Sequence, residues 1–439
     1  MPILNPDNEI KPLTVAPLVR SEWMGFIHSD YMRKSAGTYL ARVASSIAGL
    51  LSTVMVARYL GPQGRGDFST ALAISSIGMQ LAQMGWVVSN TWLSARDHSQ
   101  LRPLLANSWV MSLSVGGIFS ALVLFVSHMF PVWVPIQGAL LWVTLAWVPI
   151  GTLYMLAQSL LLGVQKIAVY NWIELGNKFL ALVLMAVALI ELRMGTASAF
   201  FAALVALIVG TMAMHAVILQ KVDGWPLPSW PLFRTNLAHG MKSYALLFFN
   251  LLIMRADLLL VRSMMGAKDA GWYGVATGIA EYAVLLPTVM ATILLPKLTA
   301  MQSISERIQW TKRACWFCAL VTAPTFLVGG ILTPWLLPLI FGREFLPSVI
   351  PFLILLPGMF FFGMEINAAQ FLQSIGLPGE MIGVWAGCTA INIAANYWII
   401  PIYGIQGSAA VCSVTYALWF LAVVLLVNKK ARDLERSGV

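Results

Sequence analysis

The chain has 439 residues, of which 59% are hydrophobic and only 10% charged, against roughly 25% charged in an ordinary soluble domain. Its mean hydropathy is +0.80. So few charges cannot cover that much apolar surface in water, which excludes a soluble enzyme, a disordered chain and a fibrous repeat. The net charge of +9 comes from basic residues that mostly flank apolar runs, a pattern that orients a membrane protein and needs no nucleic-acid partner.

The first 35 residues carry Asp7, Glu9, Lys11, Arg20, Glu22, Asp30, Arg33 and Lys34. No uninterrupted apolar run follows a basic start here, so the stretch reads as a cytoplasmic tail and not as a cleaved signal peptide. Twelve apolar stretches follow, at residues 36–59, 68–92, 107–129, 136–162, 167–190, 197–219, 244–261, 273–295, 314–341, 348–371, 381–400 and 405–427. Each approaches or exceeds the length of about 20 residues that a spanning helix needs. None alternates as a barrel strand does, and lipid tolerates no unpaired backbone. The predicted fold class is therefore an all-α integral membrane protein with about twelve transmembrane helices.

Orientation follows from Lys and Arg. With the N-terminus inside, 18 of the 27 basic residues lie on the cytoplasmic side. The outer side receives six, Arg58, Arg65, Arg193, Arg262, Lys268 and Arg343, and the spans themselves hold Arg42, Lys178 and Arg255. That bias predicts both termini in the cytoplasm. Between the sixth and seventh spans, Trp225-Pro-Leu-Pro-Ser-Trp-Pro231 cannot continue a helix. The predicted layout is an N-terminal tail at 1–35, an N-lobe of six helices at 36–220 and a linker at 221–240. A C-lobe of six helices at 241–428 and a tail at 429–439 complete it.

The two halves echo each other. Leu60-Gly-Pro-Gln-Gly-Arg-Gly-Asp-Phe68 follows the first span and Met265-Gly-Ala-Lys-Asp-Ala-Gly-Trp-Tyr273 follows the seventh, so that Gly61/Gly266, Gly66/Gly271 and Phe68/Tyr273 coincide at an offset of 205. The fourth span ends on Ala157-Gln158 through Gly163 and the tenth on Ala369-Gln370 through Gly376. A duplicated unit of six helices enters from the same side twice, which makes the repeats parallel. Cys315, Cys318, Cys388 and Cys412 all lie in apolar runs. The Cys-x-x-Cys pair lacks a second pair or a His cluster nearby, so it reads as two small apolar side chains on a buried helix.

Arg58 through Phe68 resembles the first outer turn of bacterial polysaccharide flippases. Arg255-Ala-Asp-Leu-Leu-Leu-Val through Gly271-Trp-Tyr273 resembles their seventh helix and the turn after it. Asn392-Ile-Ala-Ala-Asn-Tyr-Trp-Ile-Ile-Pro401 through Ala409 resembles the hairpin joining their last two helices. The family is the oligosaccharide and polysaccharide flippase branch of the multidrug/oligosaccharidyl-lipid/polysaccharide exporter (MOP) superfamily. The resemblance covers the chain from about Arg33 to Val427, through loose Gly, Pro and apolar motifs. It implies two six-helix lobes around a central cavity and export of an undecaprenyl-diphosphate-linked glycan, such as an O-antigen or exopolysaccharide precursor. It also implies a bacterial inner membrane, surrounding lipids, and a polysaccharide polymerase or other export machinery as working partners.

Ionisable residues within the spans are costly in lipid and so carry the mechanism. They are Arg42, Glu174, Lys178, Arg255, Asp257, Glu281 and Glu365. Arg42, Lys178 and Arg255, with Arg33 and Lys242 at the cytoplasmic mouth, are the candidate ligands of an anionic headgroup, since Arg grips diphosphate oxygens bidentately. Arg33 and Lys242 equally serve the positive-inside rule. Glu174 and Lys178, four apart, share a helix face and are expected to pair. Arg255 and Asp257 point about 200° apart and cannot pair easily, so Arg255 needs either a wet cleft holding a diphosphate, the economical candidate, or an acid on another helix such as Glu281. Asp257 could reach Arg42. Asp257, Glu174, Glu281 and Glu365 are assigned coupling or structural roles, with proton and sodium coupling both open. No cofactor or metal set is expected. A cation-coupled multidrug antiporter of the same superfamily is the rival reading. A membrane enzyme lacks a loop long enough to host its site, and no P-loop motif is present.

Overall fold

The computed structural model describes residues 30–437 apart from 132 and 223, without the side chains of 30–40, 42, 242, 243 and 437. Twelve α-helices run in chain order, and every regular element among the described residues is helical. They are α1 (Asp30–Gln83), α2 (Trp86–Arg96), α3 (Leu101–Met129), α4 (Gly138–Gly163), α5 (Ile167–Ala186) and α6 (Thr196–Leu219). After a break come α7 (Trp230–Met265), α8 (Ala267–Tyr282), α9 (Leu285–Ala300), α10 (Ile304–Phe341), α11 (Val349–Ser374) and α12 (Gly379–Ser437). Ten helical stretches are long and apolar enough to cross a membrane. Two of these, Val43–Gln83 and Gly379–Arg436, contain a backbone break, at Gly61 (φ 66°, ψ −174°) and Gly404 (φ 60°, ψ −148°). Divided there, they give twelve crossings, and the protein is a multi-pass membrane protein.

Several expected boundaries move for local reasons. The turn expected at 60–68 collapses to a single residue: Gly61 alone leaves the helical region and Pro62 opens the next helical run, as its fixed φ suits a first turn. The second span, expected to run unbroken to 92, is cut at Met84 (φ 41°) and Gly85 (φ 79°). The eighth, expected at 273–295, is split into α8 and α9 around Ala283 and Val284. The connection expected at 221–240 is shorter, because α7 begins at Trp230 with Pro231 in its first turn.

The buried apolar side chains separate largely by half. One core draws on Leu246, Tyr273, Phe371, Trp419 and their neighbours up to Ala431, all second-half residues except Ala73. Two others use first-half side chains such as Phe68 and Phe200, or Leu104 and Leu160. A smaller cluster joins the halves at one end, where Ala57 meets Val275, Leu337 and Phe345. Large apolar side chains such as Trp172, Trp316 and Trp398 stand more than two-thirds exposed, as a surface solvated by lipid requires. Serine and threonine hydroxyls inside the spans mostly return to the carbonyl four residues back, as Thr70 does to Gly66 and Thr211 to Leu207, which satisfies those donors within their own helix.

The repeated turns meet. A methyl carbon placed on Gly66 would overlap the carbonyl oxygen of Ala267, and one on Gly271 would overlap that of Pro62. Adding 205 to 62 and 66 gives 267 and 271, so the contact is reciprocal between equivalent positions. Gly61 and Gly266 (φ 98°, ψ −175°) share a backbone region open only to glycine. The crossing packs backbone on backbone at the end that the charge bias assigns to the outside.

Candidate functional site

The span Tyr244–Met265 carries Arg255 about 15 Å from either end at 1.5 Å per residue. Leucine and methionine flank it along α7, and none can neutralise it. Its guanidinium instead forks onto one carboxylate of α8: Nη1 donates to Glu281 Oε1 at 2.5 Å and Nη2 to Oε2 at 3.2 Å. The planar fork matches a carboxylate, as it would match a phosphate. The two side chains remain 29% and 28% exposed, so the pair is reachable and not sealed in a core.

Arg65 was counted in the sequence only among the basic residues of the outer side and was not singled out as a site residue. It is 6% exposed, and its Nε has no hydrogen-bond partner among the described residues. Its guanidinium lies over the Phe68 ring, 5.9 Å from the centroid, and against Gly278, where a methyl carbon would sit 3.7 Å from Nη2. Glu281 and Arg255 are among its charged neighbours. The signal available in sequence was position: Arg65 lies four residues beyond Gly61, inside the helix that resumes at Pro62. The three groups together carry one net positive charge.

Asp257 faces away from this cluster, as the spacing along α7 requires. It is 2% exposed and accepts hydrogen bonds from the Tyr273 hydroxyl (2.6 Å), the Leu258 amide (2.7 Å) and the Cys412 thiol (3.2 Å). Asn392 donates to Cys412, Asn396 to Asn392, and Ser408 to Asn396. This polar chain ties α7, α8 and both legs of α12. Glu365 on α11 is also 2% exposed, and its Oε1 has no hydrogen-bond partner among the described residues. Its side-chain surroundings include Cys315 and Cys388. The Cys-x-x-Cys thiols contact carbonyls, Cys315 that of Met364 and Cys318 that of Gly363, and all four cysteines are free.

Glu174 and Lys178 do not form the expected pair. The ion pairs among the described residues join Arg255 to Glu281, Arg262 to Asp67 and Lys430 to Glu380. Lys178 is exposed and Glu174 half-buried, and Glu174 lies near the Tyr154 hydroxyl. Lys178 is turned about 120° from the lipid-facing stripe of Trp172, Phe179 and Val183. The ammonium is thus free of its helix neighbour and is not directed to lipid. Asp257 has its own partners, independent of Arg42. Arg33, Arg42 and Lys242 fall outside the described side chains.

These features define a multi-pass helical membrane protein with a charged pair far from either end of its span. The fold is that of known exporters of the MOP superfamily. An inward-facing multidrug resistance MATE family transporter matches with a TM-score of 0.75 at 14% identity, over 90% of this chain and 96% of that one. The lipid II flippase MurJ in an inward closed conformation matches at 0.68 and 14%, over 90% and 87%. A MOP superfamily transporter from Pyrococcus furiosus, whose binding pocket is described as of reverse polarity, matches at 0.65 and 14%, over 92% and 96%. No curated protein sequence matches the chain. The family model described as polysaccharide biosynthesis protein matches residues 55–350, and the chain belongs to that family.

Proposed function

We propose that this protein carries an anionic, prenyl-diphosphate-linked oligosaccharide from the cytoplasmic to the outer leaflet of the bacterial inner membrane by alternating access. The observation that carries the reading is Arg255, a cation at mid-membrane depth, partly exposed and held by a carboxylate in the geometry a phosphate would take. Lys178, exposed and without an ion-pair partner among the described residues, is the second cation of the headgroup site. Arg33, Arg42 and Lys242 complete its cytoplasmic approach. The reciprocal Gly66/Gly271 crossing supports a resting state that is closed outward and loads from the cytoplasm. Both termini lie inside. Two negative charges moving outward gain about 4.6 kcal/mol per 100 mV of inside-negative potential. Asp257, buried among tyrosine, thiol and asparagine groups, and Glu365 are the acids through which a proton or sodium ion couples to the cycle.

The multidrug antiporter reading needs acids open to a cationic drug. Glu281 is occupied by Arg255, and Asp257 and Glu365 are each 2% exposed, which leaves half-buried Glu174 as the acid open to such a drug. Deletion of the gene followed by lipid extraction tests the assignment. Lipid-linked oligosaccharide accumulating on the cytoplasmic leaflet is the expected result. Unchanged glycan output with altered dye efflux would replace it with the antiporter.

A further inference from the structure

The Arg255 cluster holds two guanidinium groups and one carboxylate, and its stoichiometry has a mechanical consequence that rests on the anionic substrate proposed above. Both Glu281 oxygens are taken by Arg255. Arg65, from the other half of the chain, is more deeply buried than either and keeps an unpartnered Nε. Its head rests on α8 at Gly278, three residues before Glu281 and therefore on a neighbouring face of the same helix. A headgroup that seizes Arg255 must first displace the Glu281 carboxylate, which fills the same fork. That carboxylate cannot remain alone in a low-dielectric site.

We propose that Arg65 is a positioning residue that receives Glu281 when an anionic headgroup takes Arg255. Glu281 occupies the headgroup's place in the empty protein. On loading, it turns from Arg255 to Arg65. An ion pair within the second half becomes one between the halves, joining α8 to the helical run that starts at Pro62. Those two segments already cross at Gly66 and Gly271. The exchange thus converts occupancy of Arg255 into a bond that holds the outer crossing shut while cargo loads.

The test uses the full-length protein in phosphatidylcholine nanodiscs and farnesyl diphosphate as the anionic prenyl probe, with farnesol as the uncharged control. Glu281→Gln frees Arg255 and is expected to tighten farnesyl diphosphate binding by about tenfold, the equivalent of one exchanged charge-assisted contact. Arg65→Gln leaves Glu281 without a receiver and is expected to weaken binding by about tenfold. The double variant is expected to bind as Glu281→Gln does, since Arg65 then has nothing to receive. If Arg65→Gln weakens binding equally in both backgrounds, Arg65 is a direct ligand and the exchange is overturned. No effect of Arg65→Gln in either background also overturns it, as does weaker binding by Glu281→Gln. Should Arg65→Gln fail to accumulate, Arg65→Lys replaces it, with an intermediate loss expected that likewise disappears beside Glu281→Gln. Failure of the unaltered protein to prefer farnesyl diphosphate over farnesol would sink the anionic-substrate reading itself. Preference with additive Arg65 effects would sink the exchange alone.

Discussion

The two halves of this chain agree in backbone and disagree in charge. At an offset of 205, Gly61 matches Gly266 in sequence and backbone conformation, and Gly66 matches Gly271 in sequence and in reciprocal contact. The positions equivalent to Arg255, Asp257 and Glu281 are Leu50, Ser52 and Ser76, and the one equivalent to Arg65 is Ala270. Glycine is demanded wherever two helices cross on a pseudo-twofold axis, because each copy meets the other's carbonyl. On the proposed function, charges answer to the cargo, which has no such symmetry: the repeat supplies the moving frame, and its asymmetry supplies the site.

The largest effect is expected at the symmetric element. Gly66→Val or Gly271→Val drives a branched side chain into a carbonyl at the outer crossing. Overpacking of that kind costs about 1–3 kcal/mol or more, and in the proposed cycle it would also block closure. A lower melting temperature in detergent and loss of glycan export are expected for both, in equal degree. Gly117, with nothing within 4 Å of its added carbon, should accept alanine unchanged. Unequal effects of the two valines would break the symmetry argument.

Next comes the asymmetric network. Asp257→Ala leaves Tyr273, which donates to it from full burial, without its acceptor. An orphaned buried donor costs about 1–3 kcal/mol, so protein abundance should fall. Asp257→Asn keeps an acceptor oxygen and should keep abundance while losing transport, read by immunoblot beside export. Equal abundance for both would place Asp257 outside the fold's support.

Lys178→Ala should act more mildly. Export should fall by about tenfold or less, the worth of one exposed charge contact, at normal abundance. Because no ion pair joins it to Glu174, Glu174→Ala should neither cause nor rescue the defect. Rescue by the double change would restore the pairing that the spacing first suggested. The smallest effect is expected from Asn236→Ala, which removes a 2.7 Å hydrogen bond to Asn90 across the halves. About 1 kcal/mol of stability should be lost, with transport retained.

Much of the fold was legible because lipid enforces it. Twelve apolar runs had to be helices, and twelve crossings follow once the Gly61 and Gly404 breaks are counted. Turn lengths were less legible: one glycine at 61 does the work expected of a nine-residue loop. The candidate site was half legible. The need of Arg255 for a partner outside α7 follows from its flanks, and Glu281 is that partner. Helical spacing alone suggested the Glu174–Lys178 pair, but spacing places side chains on a face without setting their rotamers or competing neighbours. Arg65 was hidden because charge counting assigns an arginine to one side of the membrane and says nothing of its burial. Only the crossing at Gly66 reveals that this turn is buried between the halves.

The central claim is that Arg255 holds the anionic headgroup during passage. Its most direct test is leaflet transfer in proteoliposomes, using fluorescent undecaprenyl-diphosphate-linked oligosaccharide and a membrane-impermeant reductant that quenches only the outward label. The unaltered protein should shield label with time, and Arg255→Ala incorporated to the same level should shield none beyond protein-free vesicles. Transfer by Arg255→Ala as fast as by the unaltered protein would contradict the account.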